Sequence, residues 1–432
     1  MPGDRGVIGS GTGDSDRDGN SGTPGRESTA QPRVVVIGGG VAGLVAAREL
    51  AQAKVGEGTG ARVTLVEASD RLGGRVRRET VAGIPLDVGA EAFAVRGGAV
   101  AELLDELGIG DRLITPAPLG SWLVSGLRAA PAPVSGYLGV PVHPLARRTV
   151  AALGLPGALR AALEPLLPRR IGADATNLAD LVRARLGHRA LERLVAPVAL
   201  GVYSANPRDL PIGPELRVAL ERHRSLTTAA RALRSAAPAG AAVAGLRGGM
   251  GDLVDALERE STAAGVEVRT GAAATAVVPR DSQWEVRVEG APSIPCDAVI
   301  FACAEAYRAV APPTEAPTRT LVEVVTLVID DERLDPAPRG TGALVSPGTD
   351  SNTAADASRP AAAPQAKALT HTTAKWPDRF ASLPSGTHVL RLSYGSAAAA
   401  PVTTGLDDAA LERRVLADAS LILGLELRPG SL

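Results

Sequence analysis

The earliest strong pattern in the chain is an apolar run, Val34-Val35-Val36-Ile37, that feeds into glycines at positions 38, 39, 40 and 43 and then into helical spacing over 44–53. A continuous β-branched run bounded by a glycine turn predicts a strand buried on both faces, followed by a helix. A second strand is predicted over Arg62-Val63-Thr64-Leu65-Val66. Helical spacing over 99–107 stops at Gly108. From there to about Arg234 the pattern is mostly helical, over 145–153, 158–167, 178–195 and 215–233, with prolines and glycines as punctuation. The glycine turn of Leu246-Arg247-Gly248-Gly249-Met250-Gly251 opens another helix. Short strands over 266–269, 273–278 and 284–288 follow, then an apolar run over 298–304. This stretch either returns to the first sheet or forms a self-contained α+β unit. Strand patterns take over at 324–329, 343–345, 368–373 and 388–393, and a last helix over 407–423 precedes Gly424.

The turn after the first strand has the spacing of a dinucleotide fingerprint. Gly38 allows a tight bend, Gly40 lets backbone approach a diphosphate, and Gly43 packs helix on strand, with Gly39 and Ala42 between them. The helix that follows aims its unpaired N–H groups and positive dipole end at the phosphates. In a chain with 49 glycines such a turn alone says little. Glu67, which closes the second strand, adds to it, because an acid there meets ribose hydroxyls and disfavours a 2′-phosphate. Directly after it, Arg71-Leu72-Gly73-Gly74-Arg75 forms a second glycine turn with arginines. A second phosphate-facing loop suits FAD better than NAD; the alternative is that Arg71, Arg75 and Arg77 are solvated surface charges.

Composition narrows the classes. With 45% hydrophobic residues the chain can build sizeable cores. A formal net charge of −1 and no basic arm give no field to attract nucleic acid. Cys296 and Cys303 show neither a CxxC nor a Cys/His ligand spacing, so no disulfide framework or metal site is expected, and a reducing cytoplasm fits. No apolar run is long enough to span a bilayer, although the helical part over 137–167 is apolar enough to touch a membrane surface. Residues 1–31 hold almost no apolar side chains and are expected to be a disordered tail. Lys54, Lys367 and Lys375 are the only lysines, and aromatics make up 2% of the chain, so a substrate pocket should be aliphatic. The five histidines, 143, 188, 223, 371 and 388, are scattered and read as structural.

The glycine fingerprint, Glu67, the Arg71–Arg75 turn and Leu86-Asp87-Val88-Gly89-Ala90-Glu91 together resemble the flavoprotein superfamily of amine oxidases, carotenoid desaturases and porphyrinogen oxidases. Three further segments, Ala196-Pro197-Val198-Ala199-Leu200-Gly201 continuing to Leu210, the Gly340 to Pro347 stretch, and Ala374-Lys375-Trp376-Pro377 with Val389 to Gly395, look like the bacterial protoporphyrinogen/coproporphyrinogen III oxidases. That resemblance implies an α/β fold: a discontinuous Rossmann-like FAD-binding domain over 32–98 and 240–312, a helical subdomain over 99–239, a mixed-sheet substrate-binding domain over 313–405, and a C-terminal helix over 406–432. It implies FAD as cofactor, with Gly73, Gly74, Arg75, Gly89, Ala90 and Glu91 along it and the backbone near Ala274 at the adenine. It also implies a porphyrinogen substrate of heme biosynthesis and dioxygen as acceptor. Arg96 would pair with a propionate, the Gly201 carbonyl would face the pyrrole nitrogens, and Leu344 would pack on the macrocycle. Whether the substrate is coproporphyrinogen III or protoporphyrinogen IX stays open, as do peripheral membrane contact and a homo-oligomer. The family continues beyond the helix ending near Leu423 into a segment that closes the cofactor lobe, so a truncated, inactive homologue is one alternative. An oxidase acting on amines is the other.

Overall fold

The structure, a computed structural model, describes residues 31–53, 60–126, 128–134, 136–235, 243–305, 307, 320–346 and 363–428. The tail expected over 1–31 lies outside the described residues apart from Gln31, as do residues 429–432.

The strand Arg33–Ile37 is an inner strand of a four-stranded sheet ordered Glu267–Arg269, Arg62–Val66, Arg33–Ile37, Ala298–Phe301, and every pair is parallel. Val34 to Ile37 are all buried because both faces of the sheet are covered. On one face Val36, Val63 and Leu65 pack with Leu44 and Ala47 of the helix Val41–Gln52 and with Leu253, Val254 and Leu257 of the helix Gly251–Ala263. On the other, Val35, Ile37 and Val66 pack against Val286, Val288 and Cys296 of an antiparallel sheet made of Ala274–Arg280, Gln283–Val288 and Ala291–Cys296. Two-sided burial is what a continuous apolar run encodes. Strands Glu267–Arg269 and Ala298–Phe301 hydrogen-bond to Arg62–Val66 and Arg33–Ile37 respectively, so this later stretch is no self-contained unit.

The second large sheet has six strands, ordered Glu323–Asp330, Thr387–Tyr394, Ala368–His371, Gly342–Val345, Trp122–Ser125, Arg128–Pro131. All pairs are antiparallel except Gly342–Val345 with Trp122–Ser125. The helix Asp408–Leu423 covers this sheet, with Leu416, Ala419 and Leu423 against Ile329, Leu390 and Leu392. Its ends are set locally: Asp407 Oδ1 accepts from Ala410 N at 2.7 Å, and Gly424 closes it. The hairpin Trp122–Pro131 corrects the sequence-based expectation, which assigned 99–239 to a helical subdomain. Each of its strands has only four residues, too few for alternation to stand out from the helical spacing around it. The strand expected over 368–373 ends at His371 and turns into a short helix, Thr372–Lys375.

The helical part is broken more often than its spacing predicts. The break expected between 145–153 and 158–167 is found at Gly154, within Arg147–Ala162, but two others were not expected. The helix expected over 178–195 stops at Leu186, before Gly187, and continues through a π-helical turn, Leu191–Val195, into Ala196–Tyr203. The one expected over 215–233 is two helices, Pro214–His223 and Leu226–Ser235, parted at Arg224. A fully buried carboxylate explains that last break. Glu164 accepts hydrogen bonds from Leu226 N at 2.8 Å, Thr227 N at 3.3 Å and the Ser225 hydroxyl at 2.6 Å, and pairs with Arg185. It caps the second helix from a distance in sequence, satisfying donors the helix cannot.

Burial alone would push the Glu164 carboxyl up; the Ser225 hydroxyl, the Leu226 N–H and the Arg185 guanidinium outweigh it and hold it below the usual carboxylate range. A carboxyl lowered on folding adds stability above the unfolded value, and that stability is lost as pH falls through the folded one. Glu164→Ala leaves Arg185 buried without its anion and is expected to destabilise the protein by about 3–5 kcal/mol. Urea unfolding at pH 7 and below pH 4 checks this: the gap between wild type and variant should shrink in acid, and a variant as stable as wild type at pH 7 would contradict it.

Candidate flavin site and substrate groove

Two glycine turns lie against each other at the carboxyl end of the parallel sheet. Gly38 leaves the first strand with φ of 108°, and its N–H donates to Val66 O at 2.8 Å. A Cβ on Gly43 would stand 1.8 Å from the Gly38 carbonyl oxygen, so the helix can sit on the turn only because position 43 has no side chain. Gly40 opens that helix without any side-chain cap, and a Cβ placed on it would meet nothing within 4 Å. Ala42 is exposed on the first turn. The second turn docks alongside: Gly73 N donates to Gly39 O at 2.8 Å, and Gly74 approaches Gly40 so closely that a Cβ on it would lie 3.3 Å from the Gly40 Cα. The result is a cradle of bare backbone over a helix N-terminus, with Arg75 exposed at its edge.

Glu67 is tied to this cradle. One carboxylate oxygen accepts from Gly39 N at 2.6 Å, and the other from Ser69 N at 2.9 Å and the Ser69 hydroxyl at 2.8 Å. Burial would raise its pKa, but these hydrogen bonds and the charge of Arg71 together lower it, so Glu67 is ionised at neutral pH. An ionised carboxylate offers about four acceptor positions, which leaves one for a ribose hydroxyl. Arg71 also donates to Leu72 O at 3.3 Å. Ala272 N and Gly271 N donate to the carbonyls of Glu67 and Ser69, which brings Ala274, the first residue of its strand, to the same side. An uncapped helix start, an unobstructed Gly40 and an ionised Glu67 fit a flavin dinucleotide.

The segment from Asp87 to Glu91 is bolted down by cations that the sequence reading did not anticipate. Asp87 is buried and accepts from Met250 N at 3.0 Å, anchoring the start of the helix Gly251–Ala263, while Arg379 donates to the same oxygen at 2.5 Å. Gly89 fits because a Cβ there would lie 2.1 Å from the Arg75 carbonyl oxygen. Glu91 is held between Lys375 at 2.5 Å and Arg391 at 2.8 Å, and Arg391 also donates to Gly89 O at 2.6 Å. Burial opposes ionisation of Glu91, and the two cations overcome it, keeping its carboxyl below the usual range. Both Glu91 carboxylate oxygens are therefore engaged by protein cations, and so is the Lys375 ammonium. Ala90, between Gly89 and Glu91, is exposed. Lys375 and Arg391 lie in segments noted in the sequence, but nothing there tied them to Glu91.

The remaining expected residues lie on other elements. Gly201, on the helix Ala196–Tyr203, touches Leu344, on Gly342–Val345: a Cβ on Gly201 would lie 2.5 Å from Leu344 Cδ2. Arg96 is exposed and lies within electrostatic reach of Tyr137. Burial is the main cause that raises the Tyr137 pKa, followed by Glu215 and Tyr203, and Arg96 opposes them. Arg96 thereby shares a neighbourhood with Tyr203, two residues beyond Gly201. Cavities of about 350 and 320 Å³ lie elsewhere, the first between His143 and Arg231 and the second between Arg128 and Arg193, so cavity volume does not mark this site. Among the histidines, His371 and His388 form a pair at 3.0 Å, with His388 bonded to Asp335 at 3.0 Å.

Comparison with known proteins agrees with this geometry. The family model for flavin containing amine oxidoreductases matches residues 41–432. Coproporphyrinogen III oxidase of Mycobacterium tuberculosis (strain ATCC 25618 / H37Rv) is 32% identical over 399 residues, covering 86% of this chain and 78% of its own. Protoporphyrinogen oxidase of Homo sapiens is 31% identical over 340 residues, covering 68% and 65%. Among solved structures, a candidate protoporphyrinogen oxidase of Exiguobacterium sp. 255-15 superposes with a TM-score of 0.74 at 23% identity over 93% of this chain and 85% of that one. A putrescine oxidase variant superposes with a TM-score of 0.59 at 18% identity over 92% and 82%, which shows the shared fold alone. The matched segments and the backbone cradle make FAD the cofactor of an oxidoreductase, and the chain belongs to the flavin-containing amine oxidoreductase family.

Proposed function

We propose that the protein is an FAD-dependent porphyrinogen oxidase of heme biosynthesis, acting on coproporphyrinogen III or protoporphyrinogen IX. The observation that carries this reading is the Gly201–Leu344 contact, in a chain whose relatives over 86% of its length are named coproporphyrinogen III oxidase. The chemistry FAD supplies when bound is two-electron oxidation of the porphyrinogen, with dioxygen as final acceptor and hydrogen peroxide as product. The residues of the chain bind and orient. Backbone amides at the uncapped helix start, Gly40 to Gly43, and of Gly74 would hold the diphosphate, Arg75 would add a cation, and Glu67 would accept from the ribose. Gly89, Ala90 and Glu91 would line the flavin, the last through its backbone, and Ala274 the adenine. At the groove, Leu344 offers a flat aliphatic surface, Gly201 lets a backbone carbonyl come close to the ring, and Arg96 pairs with a propionate.

Amine oxidation is the poorer reading. The Lys375 ammonium is consumed by Glu91, and a chain with 2% aromatic residues has little from which to build a cage around an amine.

A membrane-peripheral location of the protein in the cytoplasm belongs to the same proposal. No described helix is long and apolar enough to cross a membrane. Yet Leu155 is 60%, Leu163 57% and Leu166 78% exposed along one part of the helical region, and exposed Arg147, Arg148 and Arg170 flank them without ion pairs among the described residues. Leucines ringed by arginines suit an anionic bilayer surface.

Four outcomes are expected. Gly43→Ala should push the helix off its turn, and purified protein should lose most of its 450 nm flavin absorbance relative to wild type; full flavin occupancy would contradict the cradle. Flavin-loaded wild type should release peroxide with a porphyrinogen and none with putrescine. Arg96→Ala should raise KM about two- to fivefold, as loss of an exposed ion pair does; peroxide from the amine alone would overturn the assignment. Phosphatidylglycerol vesicles should pull down wild type at low salt and much less of Leu155→Glu/Leu166→Glu, and equal recovery of both would remove the membrane contact.

A further inference from the structure

Lys367 breaks a rule that the rest of the molecule obeys. Three other cations among the described residues are more than nine-tenths buried, and each has a carboxylate: Arg185 has Glu164, Arg391 has Glu91, and Arg48 has Glu49 and Glu106. Lys367 is 4% exposed, and its Nζ donates to the Ser204 hydroxyl at 2.6 Å, with no carboxylate paired to it among the described residues. It cannot swing away easily, because its backbone is fixed on both sides, N to Ser393 O at 2.9 Å and O from Val345 N at 2.9 Å. A buried ammonium with a neutral partner alone is an unfavourable arrangement. Desolvation brings its pKa down to about 8, so it still carries its proton at neutral pH.

The location gives this charge a meaning. Ser204 ends the helix Ala196–Tyr203, one turn past Gly201. Gly201 touches Leu344, and Leu344 pairs in register with Ala368, the residue after Lys367. Helix and strand thus both lead from the Gly201–Leu344 contact to the ammonium.

We propose that Lys367, with Ser204, forms a carboxylate subsite of the substrate groove, distinct from Arg96, that selects a porphyrinogen with more carboxylates over one with fewer. The proposal rests on the porphyrinogen reading above. In coproporphyrinogen III every pyrrole carries a propionate; in protoporphyrinogen IX two carry vinyl groups instead. A propionate supplies the missing counter-charge, while a vinyl leaves the ammonium unpaired and desolvated. Discrimination by an unpaired buried polar group is far stronger than discrimination by shape. Coproporphyrinogen III is then the preferred substrate.

The test uses the flavin-loaded full chain with Lys367→Met, which keeps the length of the side chain, and Lys367→Arg, which keeps the charge. Dissociation constants for coproporphyrin III and protoporphyrin IX are measured by fluorescence quenching, alongside KM and kcat for the two porphyrinogens. Lys367→Met should weaken coproporphyrin III about 10- to 100-fold, as expected for a charged hydrogen bond. KM should rise in step, with kcat within about twofold of wild type and protoporphyrin IX binding within about threefold. Lys367→Arg should recover most of the loss. Since methionine removes an uncompensated charge, its melting temperature should equal or exceed that of wild type; a marked fall would show the ammonium to be structural and overturn the subsite. Unchanged binding, or equal weakening of both porphyrins, would overturn it too while leaving the porphyrinogen reading intact. A flavin-loaded wild type that neither binds nor oxidises either tetrapyrrole would overturn both.

Discussion

The approach of the first helix to the turn that precedes it is the constraint from which the rest of the site follows. At 1.8 Å from the Gly38 oxygen, the position a Gly43 Cβ would take is filled by backbone. Only this seating lets the helix start uncapped at Gly40, beside an unobstructed surface and against the second turn at Gly73 and Gly74. Glu67 then closes the arrangement by accepting from Gly39 N, which fixes an ionised carboxylate on the rim. Phosphate affinity in such a cradle comes from oriented peptide groups, which need no side-chain ordering when the ligand arrives.

A second set of contacts holds the flavin lobe to the six-stranded sheet. Asp87 accepts from the Arg379 guanidinium and the Met250 amide, and four residues later Glu91 takes Lys375 and Arg391. Each carboxylate lies in the segment that follows the second glycine turn, and each cation lies in or just before the last strands of the sheet. These are partly or wholly desolvated pairs, so their geometry matters more than their number. Their effect is to hold the Gly89 backbone against both the Arg75 carbonyl and the Arg391 guanidinium, so that cradle and sheet keep one relative position. A lysine that chemistry alone would suggest as an active-site base is spent on this joint.

Much of the first sheet was legible because its signal is local. Four consecutive apolar residues, a glycine turn, a helical stripe and an acid at the end of the next strand are read within a few dozen positions. The return of Ala298–Phe301 to the same sheet, set against the alternative of a separate unit, rested on resemblance, since nothing in that run names its partner. The ion pairs were illegible for the same reason. Lys375 and Glu91 are 284 residues apart in the chain, and Arg391 and Glu91 are 300 apart. Glu164, capping a helix 62 residues away, reads in sequence as one more surface charge. The hairpin Trp122–Pro131 was lost among helical spacings, and the breaks at Gly187 and Arg224 were smoothed over because apolar periodicity continues across them.

Scarcity of aromatic side chains shapes how the groove must recognise a flat macrocycle. Stacking platforms are few, so on the proposed reading Leu344 and the bare backbone at Gly201 would provide shape, and orientation would fall to charge. The two cations on hand are not equivalent. Arg96 is exposed, where water and salt screen a carboxylate contact and the net gain is small. Lys367 has already been stripped of water, so a carboxylate reaching it meets a charge with little competing solvation. An exposed arginine is therefore suited to drawing an anionic substrate in, and a buried lysine to deciding which one stays. On the proposals above, steering and selection would be divided between two residues, because one cation cannot be both hydrated enough to attract from afar and dry enough to discriminate at contact.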